Sequence, residues 1–158
     1  MNFENFTIKA QKSVQKAAAI AAGKGHQAVE CGHLLKGIMT EADSIVSYII
    51  TKTGGDSRLF GRALDDIIEG YPLVSGGDPY FSPDTSAVFR RAADHAAKMQ
   101  DRFVSVEHLL LGLSESSGSV AKLMKIGRAS CRERVYSSGG AVSSKKKQKK
   151  KHKHTNYA

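Results

Sequence analysis

Tryptophan is absent from the 158 residues, proline occurs three times and cysteine twice. Two cysteines, Cys31 and Cys131, cannot build the disulfide framework by which small secreted domains supplement a thin core, so a reducing, cytoplasmic setting is expected. No stretch approaches the ~18 consecutive apolar residues of a membrane helix. The longest apolar stretch is the alanine-rich Ala17 to Ala22, and no membrane partner is expected. The first residues carry Glu4 in place of a basic cluster and lack an apolar core, which argues against a secretory leader. A sustained alternation of apolar and polar residues is missing as well, so strands are not predicted and the fold class is all-α.

What the chain has in excess is positive charge, formally +9. Its distribution decides what it means. Residues 1–125 hold 14 basic and 14 acidic side chains, whereas 126–158 hold 10 basic ones against Glu133 alone. The body is neutral, and any footprint for a polyanion is confined to a Ser/Gly/Lys-rich stretch without apolar periodicity. Nucleic acid is therefore not an expected partner of the folded part.

The sequence matches itself at an offset of 75: residues 6–50 align with 81–125 without a gap, and 11 of the 45 pairs are identical. Phe6 meets Phe81, Ala17-Ala18 meet Ala92-Ala93, Val29 meets Val104, and His33-Leu34-Leu35 meet His108-Leu109-Leu110, followed by Gly37 with Gly112. Thr7 faces Ser82, and each precedes apolar positions at helical spacing, so both are expected N-caps. Pro83 after Ser82 suits a first helical turn, where no N–H donor is needed.

Each half then predicts a short helix, over 32–39 and 106–113, and a third over 44–53 and 119–125. The third helices should present Ile45, Tyr48, Ile49 and Val120, Leu123, Met124. A fourth helix, capped by Ser57 and running to Tyr71, completes the first half, and a connector spans 72–80. The expected architecture is two pseudo-symmetric helical repeats, about 6–71 and 81–125, followed by a disordered basic tail over 126–158.

The fourth helix has no echo, because no pair between 51–75 and 126–150 is identical. Its loss is expected to uncover Val120, Leu123 and Met124 and to lower stability. Ile126 to Tyr136 is similar to one reading frame of a common short-read sequencing adapter, and a lysine run would fit read-through into an A-rich stretch. On that reading the tail is an artefact; the alternative is a genuine disordered basic tail.

Four segments together resemble one family: Phe6-Thr7-Ile8-Lys9-Ala10-Gln11, His33-Leu34-Leu35-Lys36-Gly37, Val74-Ser75-Gly76-Gly77-Asp78-Pro79-Tyr80, and Phe103-Val104-Ser105-Val106-Glu107-His108-Leu109-Leu110-Leu111-Gly112-Leu113. They are similar to the N-terminal Clp repeat domain of the ClpB-type disaggregases among the Clp AAA+ chaperones, over about residues 1–125. The resemblance implies a mobile, non-catalytic domain ahead of two ATPase modules in a homohexamer, binding unfolded or aggregated polypeptide in a stress-responsive chaperone. The alternative it leaves open is docking of a folded adaptor protein, as in the ClpC and ClpA relatives. ATP belongs to the parent: no Gly-x-x-x-x-Gly-Lys-Ser/Thr loop occurs, and Gly23-Lys24-Gly25 lacks the spacing to cradle a phosphate.

The resemblance also implies a role in substrate handling for Thr7, Asp101 and Glu107, against the plainer readings of a helix cap, a solvated carboxylate and a carboxylate at a positive helix end. Phe103, Val104 and Phe89 lie on periodic apolar positions and either fill the core or line a groove between the halves. His33 and His108 occupy equivalent places, which favours packing over a unique catalytic role. Cys31 with His33 supplies too few ligands for zinc and no nucleophilic triad, so neither metal nor enzyme chemistry is expected.

Overall fold

The computed structural model describes residues 2–41, 43–74 and 76–126. The expectations for the tail, apart from Ile126, lie outside the described residues. The elements in chain order are α1 (Ile8–Gly23), β1 (Ala28–Val29), α2 (Cys31–Glu41), α3 (Asp43–Lys52), α4 (Ser57–Glu69), β2 (Tyr80–Phe81), α5 (Pro83–Lys98), α6 (Val106–Ser114) and α7 (119–126). Helix dominates, as the periodicity requires.

Caps set the helix starts. Thr7 Oγ1 accepts from the Ala10 N–H at 3.2 Å and Ser82 Oγ from the Thr85 N–H at 3.2 Å, and Pro83 opens α5. The cap of α4 is Asp56, whose carboxylate accepts from the Arg58 N–H at 2.8 Å; Ser57 is already helical. An acidic side chain one residue earlier satisfies the free N–H groups better, with its charge at the positive end.

In each half a long helix crosses a short one through glycine. α1 packs on α2 and α5 on α6, with Ala10, Ala17, Ala92, Leu34 and Leu109 all fully buried. A Cβ on Gly37 would lie 2.4 Å from the Ser13 carbonyl, and one on Gly112 would lie 2.8 Å from the Val88 carbonyl. These contacts are the same by the 75-residue offset, which makes the duplication a packing unit as well as a sequence pattern.

The halves are tied by exchange of their leading segments. β1 and β2 pair in parallel, with Val29 opposite Phe81, and the bridge Phe6–Val104 repeats that pairing at the related place. The Thr7 N–H donates to the Val104 carbonyl at 2.9 Å, as the Ser82 N–H does to Val29 at 3.1 Å. Two-residue pairings are too short to leave an alternating pattern, so no strand was predicted. Phe3, Phe6, Phe81 and Phe89 meet edge-to-face where the segments cross.

Two predicted faces are corrected. α3 turns Val46 and Ile50 inward, at 5% and 7% exposure, and leaves Tyr48 and Ile49 exposed. Val120 on α7 is 2% exposed, with Leu123 and Met124 packed partly against the core, so Val120 keeps its cover within the described residues.

Both long helices end alike. The His26 N–H donates to the Ala21 carbonyl and the Asp101 N–H to Ala96, each at 2.8 Å. This closure needs a left-handed residue before the donor: Gly25 has φ +73° and Gln100 has φ +60°. Gln100 bears the Cβ penalty that Gly25 avoids, so Gln100→Gly is expected to stabilise the fold by about 0.5–1 kcal/mol after the added unfolded-state entropy. Urea denaturation checks this, and an unchanged midpoint would refute it.

Candidate functional site

Thr7 and Val104 come together because their backbones form the bridge between the halves. Thr7 is half-buried as the cap of α1, and Val104 is core, at 5% exposure. Phe89, at 2%, lies within the phenylalanine cluster. Neither Val104 nor Phe89 offers a side chain to an incoming molecule. Phe103 does, at 45% exposure, with the Arg102 guanidinium 5.5 Å from its ring centre.

Asp101 and Glu107 flank the start of α6. Asp101 Oδ2 accepts from His108 Nε2 at 2.9 Å, and His108 Nδ1 accepts from the Ser105 N–H at 2.9 Å, so Asp101 is a partner of a buried histidine as well as an exposed carboxylate. Glu107 is exposed. Its carboxyl is held below the usual range first by the Ser105 hydroxyl, then by its own backbone N–H, with Lys9 of α1 adding a favourable charge.

An open apolar groove of about 480 Å³ lies between the halves. Leu35, Val46, Ile49, Ile50 and Phe60 form the wall from the first half. Leu110, Leu111 and Met124 face them, with Glu107, Ser114 and Lys125 supplying polarity. Of the six residues singled out from the sequence, Glu107 alone lines it; Thr7, Asp101 and Phe103 stand on the surface around the starts of α1 and α6.

The groove residues were missed because periodicity marks an apolar face without saying whether protein covers it. The repeat carried the available signal. Leu35 with Leu110 and Ile49 with Met124 are pairs at the 75-residue offset, so the groove straddles the pseudo-two-fold axis.

Cys31 is buried, and burial pushes its thiol up to about 11, so it is almost wholly protonated at neutral pH and a poor nucleophile. Among the described residues there is no group of three or more His, Cys, Asp or Glu able to hold a metal ion, and no helix long and apolar enough to cross a membrane.

The family model for the Clp repeat (R) N-terminal domain matches residues 5–126. The chain is 38% identical over 125 residues to a chaperone protein ClpB of Bacteroides thetaiotaomicron and, equally, to one of Porphyromonas gingivalis. Each match covers 79% of this chain but 14% of the relative's length. Among solved structures, the Hsp104 N-terminal domain from Candida albicans shares the fold with a TM-score of 0.69 at 18% identity, covering 87% of this chain and 93% of that one.

Proposed function

The chain belongs to the Clp repeat (R) N-terminal domain family, and we propose from that membership that it is the substrate-recognition domain of a ClpB-type protein disaggregase. It captures exposed apolar segments of unfolded or aggregated protein in the groove between its halves, without chemistry of its own, and hands them to ATPase modules of a hexameric parent. The observation that carries the reading is the groove: an open apolar channel with one carboxylate held ionised at its rim.

Its size suits transient capture. Covering about 400 Å² of apolar surface gains roughly 10 kcal/mol, against an association and ordering cost of about 4–15 kcal/mol. Binding is thus weak and reversible, as a domain that passes its client onward requires.

Backbone NMR of the chain titrated with a permanently unfolded model protein tests the proposal. Shifts are expected at 46–53, 110–114 and 124–125, persisting at about 0.5 M salt because apolar contacts are not screened. Shifts confined to the opposite surface, or lost with salt, refute it. A preference for a folded partner over the denatured one would favour adaptor docking.

A further inference from the structure

The two halves solve one packing problem with different chemistry. In the second half, His108 accepts the Ser105 N–H and presents Nε2 to Asp101. In the first, His33 Nδ1 accepts the Glu30 N–H at 2.9 Å, while Nε2 lies 2.8 Å from His26 Nδ1. His26 is the offset partner of Asp101, so a neutral ring stands where the other half has a carboxylate.

The hydrogen bonds fix the tautomers. A ring nitrogen that accepts from a backbone N–H carries no proton, so the His33 proton is on Nε2 and is donated to His26 Nδ1. Protonating His33 sets an N–H against the Glu30 N–H. Protonating His26 at Nδ1 sets two N–H groups against each other. Either way a bond breaks, with both rings buried at 0% and 5% exposure. The Nδ1 contacts of the two halves are alike, so the difference lies at Nε2, which faces a neutral ring in the first half and the Asp101 carboxylate in the second.

Tyr71, just beyond α4, closes the cluster. Its ring centre is 5.1 Å from His33 and 6.0 Å from His26, and its hydroxyl accepts the Gly32 N–H at 3.1 Å. We propose that the His26–His33–Tyr71 cluster is an acid-sensitive latch that holds the 24–30 segment and the end of α4 to the start of α2, and that it opens before the corresponding contacts of the second half.

None of the charged groups that act on His33 is a carboxylate. Lys24, after α1, faces His33 with the same sign as an imidazolium and is paired with Glu69 of α4. The start of α2 adds its positive helix end. Glu30 faces Tyr71 and Cys31, and from α5 Asp84 faces both while Arg91 faces Cys31. Tyr71 and Cys31 themselves stay neutral, raised by burial to about 12 and about 11.

Burial, then His26 and Lys24, bring His33 down to about 4 from 6.5. Between those values the unfolded chain binds the proton and the folded one does not. The latch's contribution is therefore complete above about pH 6.5 and falls as pH drops toward 4. Opening loosens α4 against α2, the elements that bring Phe60 and Leu35 to the groove.

Urea unfolding of the full chain followed by circular dichroism, compared with His26→Asp between pH 7.5 and 4.5, tests this. The unfolding constant of the parent chain should rise by up to about tenfold per pH unit below pH 6 relative to the variant. Equal slopes overturn the latch. If the variant does not fold, ring-nitrogen NMR of the unaltered chain decides. His33 protonated on Nε2 alone down to pH 5, with amides 32–34 and 69–71 losing exchange protection before 107–109, supports it. Protonation on Nδ1, or titration near 6.5 without local opening, refutes it.

Discussion

Gly37→Ala is expected to destabilise the domain by about 3 kcal/mol and Gly112→Ala by about half of that, read as urea midpoints at constant slope. An exposed helical glycine replaced by alanine would gain about 1 kcal/mol from propensity. At Gly37 the gain is overwhelmed, because the new methyl would lie 2.4 Å from the Ser13 carbonyl and 2.9 Å from the Ala17 nitrogen. Both are backbone atoms of α1 and cannot rotate aside.

Relief requires the helices to separate, and separation uncovers Ala10, Ala17, Leu34 and Ile38, all at 0% exposure. Close packing leaves no slack to absorb the shift. At Gly112 the nearest atom is the Val88 carbonyl at 2.8 Å, and the Ala92 nitrogen stands off at 3.4 Å, so a smaller shift suffices. A stabilised Gly37→Ala protein would mean that the crossing is not the close backbone contact described.

The recurrence of Gly37 with Gly112 and of the alanine pairs at one offset was legible in the sequence, but that these residues meet in a helix crossing was not, because a shared offset does not say which helix packs on which. The caps Thr7 and Ser82 were legible, because capping depends on a side chain and its three following residues. The bridges between the halves were not: Phe6–Val104 and Val29–Phe81 join residues distant in sequence through backbone groups that any side chain could accompany. For the site, the family resemblance led to the surface of Thr7, Asp101 and Glu107, whereas the walls of the groove are formed by apolar helix residues that periodicity alone cannot tell from core. Ile49 shows why. It lies on the helix that turns Val46 and Ile50 inward, yet rotation of α3 leaves it 46% exposed.

Ile49→Glu is expected to weaken capture of an unfolded client at least tenfold, and Met124→Glu to do the same, while Leu73→Glu leaves it unchanged. Ile49 and Met124 are two-fold mates on opposite walls of the groove, so a segment lying along the axis loses equivalent contact from either. The effect has two parts: an apolar contact worth about 1–2 kcal/mol is removed, and a carboxylate must be desolvated beneath the bound chain at about 1–3 kcal/mol. Even the lower sum exceeds the 1.4 kcal/mol that corresponds to a factor of ten. Ile49 is already exposed, so its replacement should alter folding stability by no more than about 1 kcal/mol. Leu73 is 76% exposed in the connector and outside the groove, which makes it the control for added negative charge. Fluorescence anisotropy of a labelled unfolded protein reads all three, and equal affinities for the Ile49, Met124 and Leu73 variants would remove the groove as the place of capture.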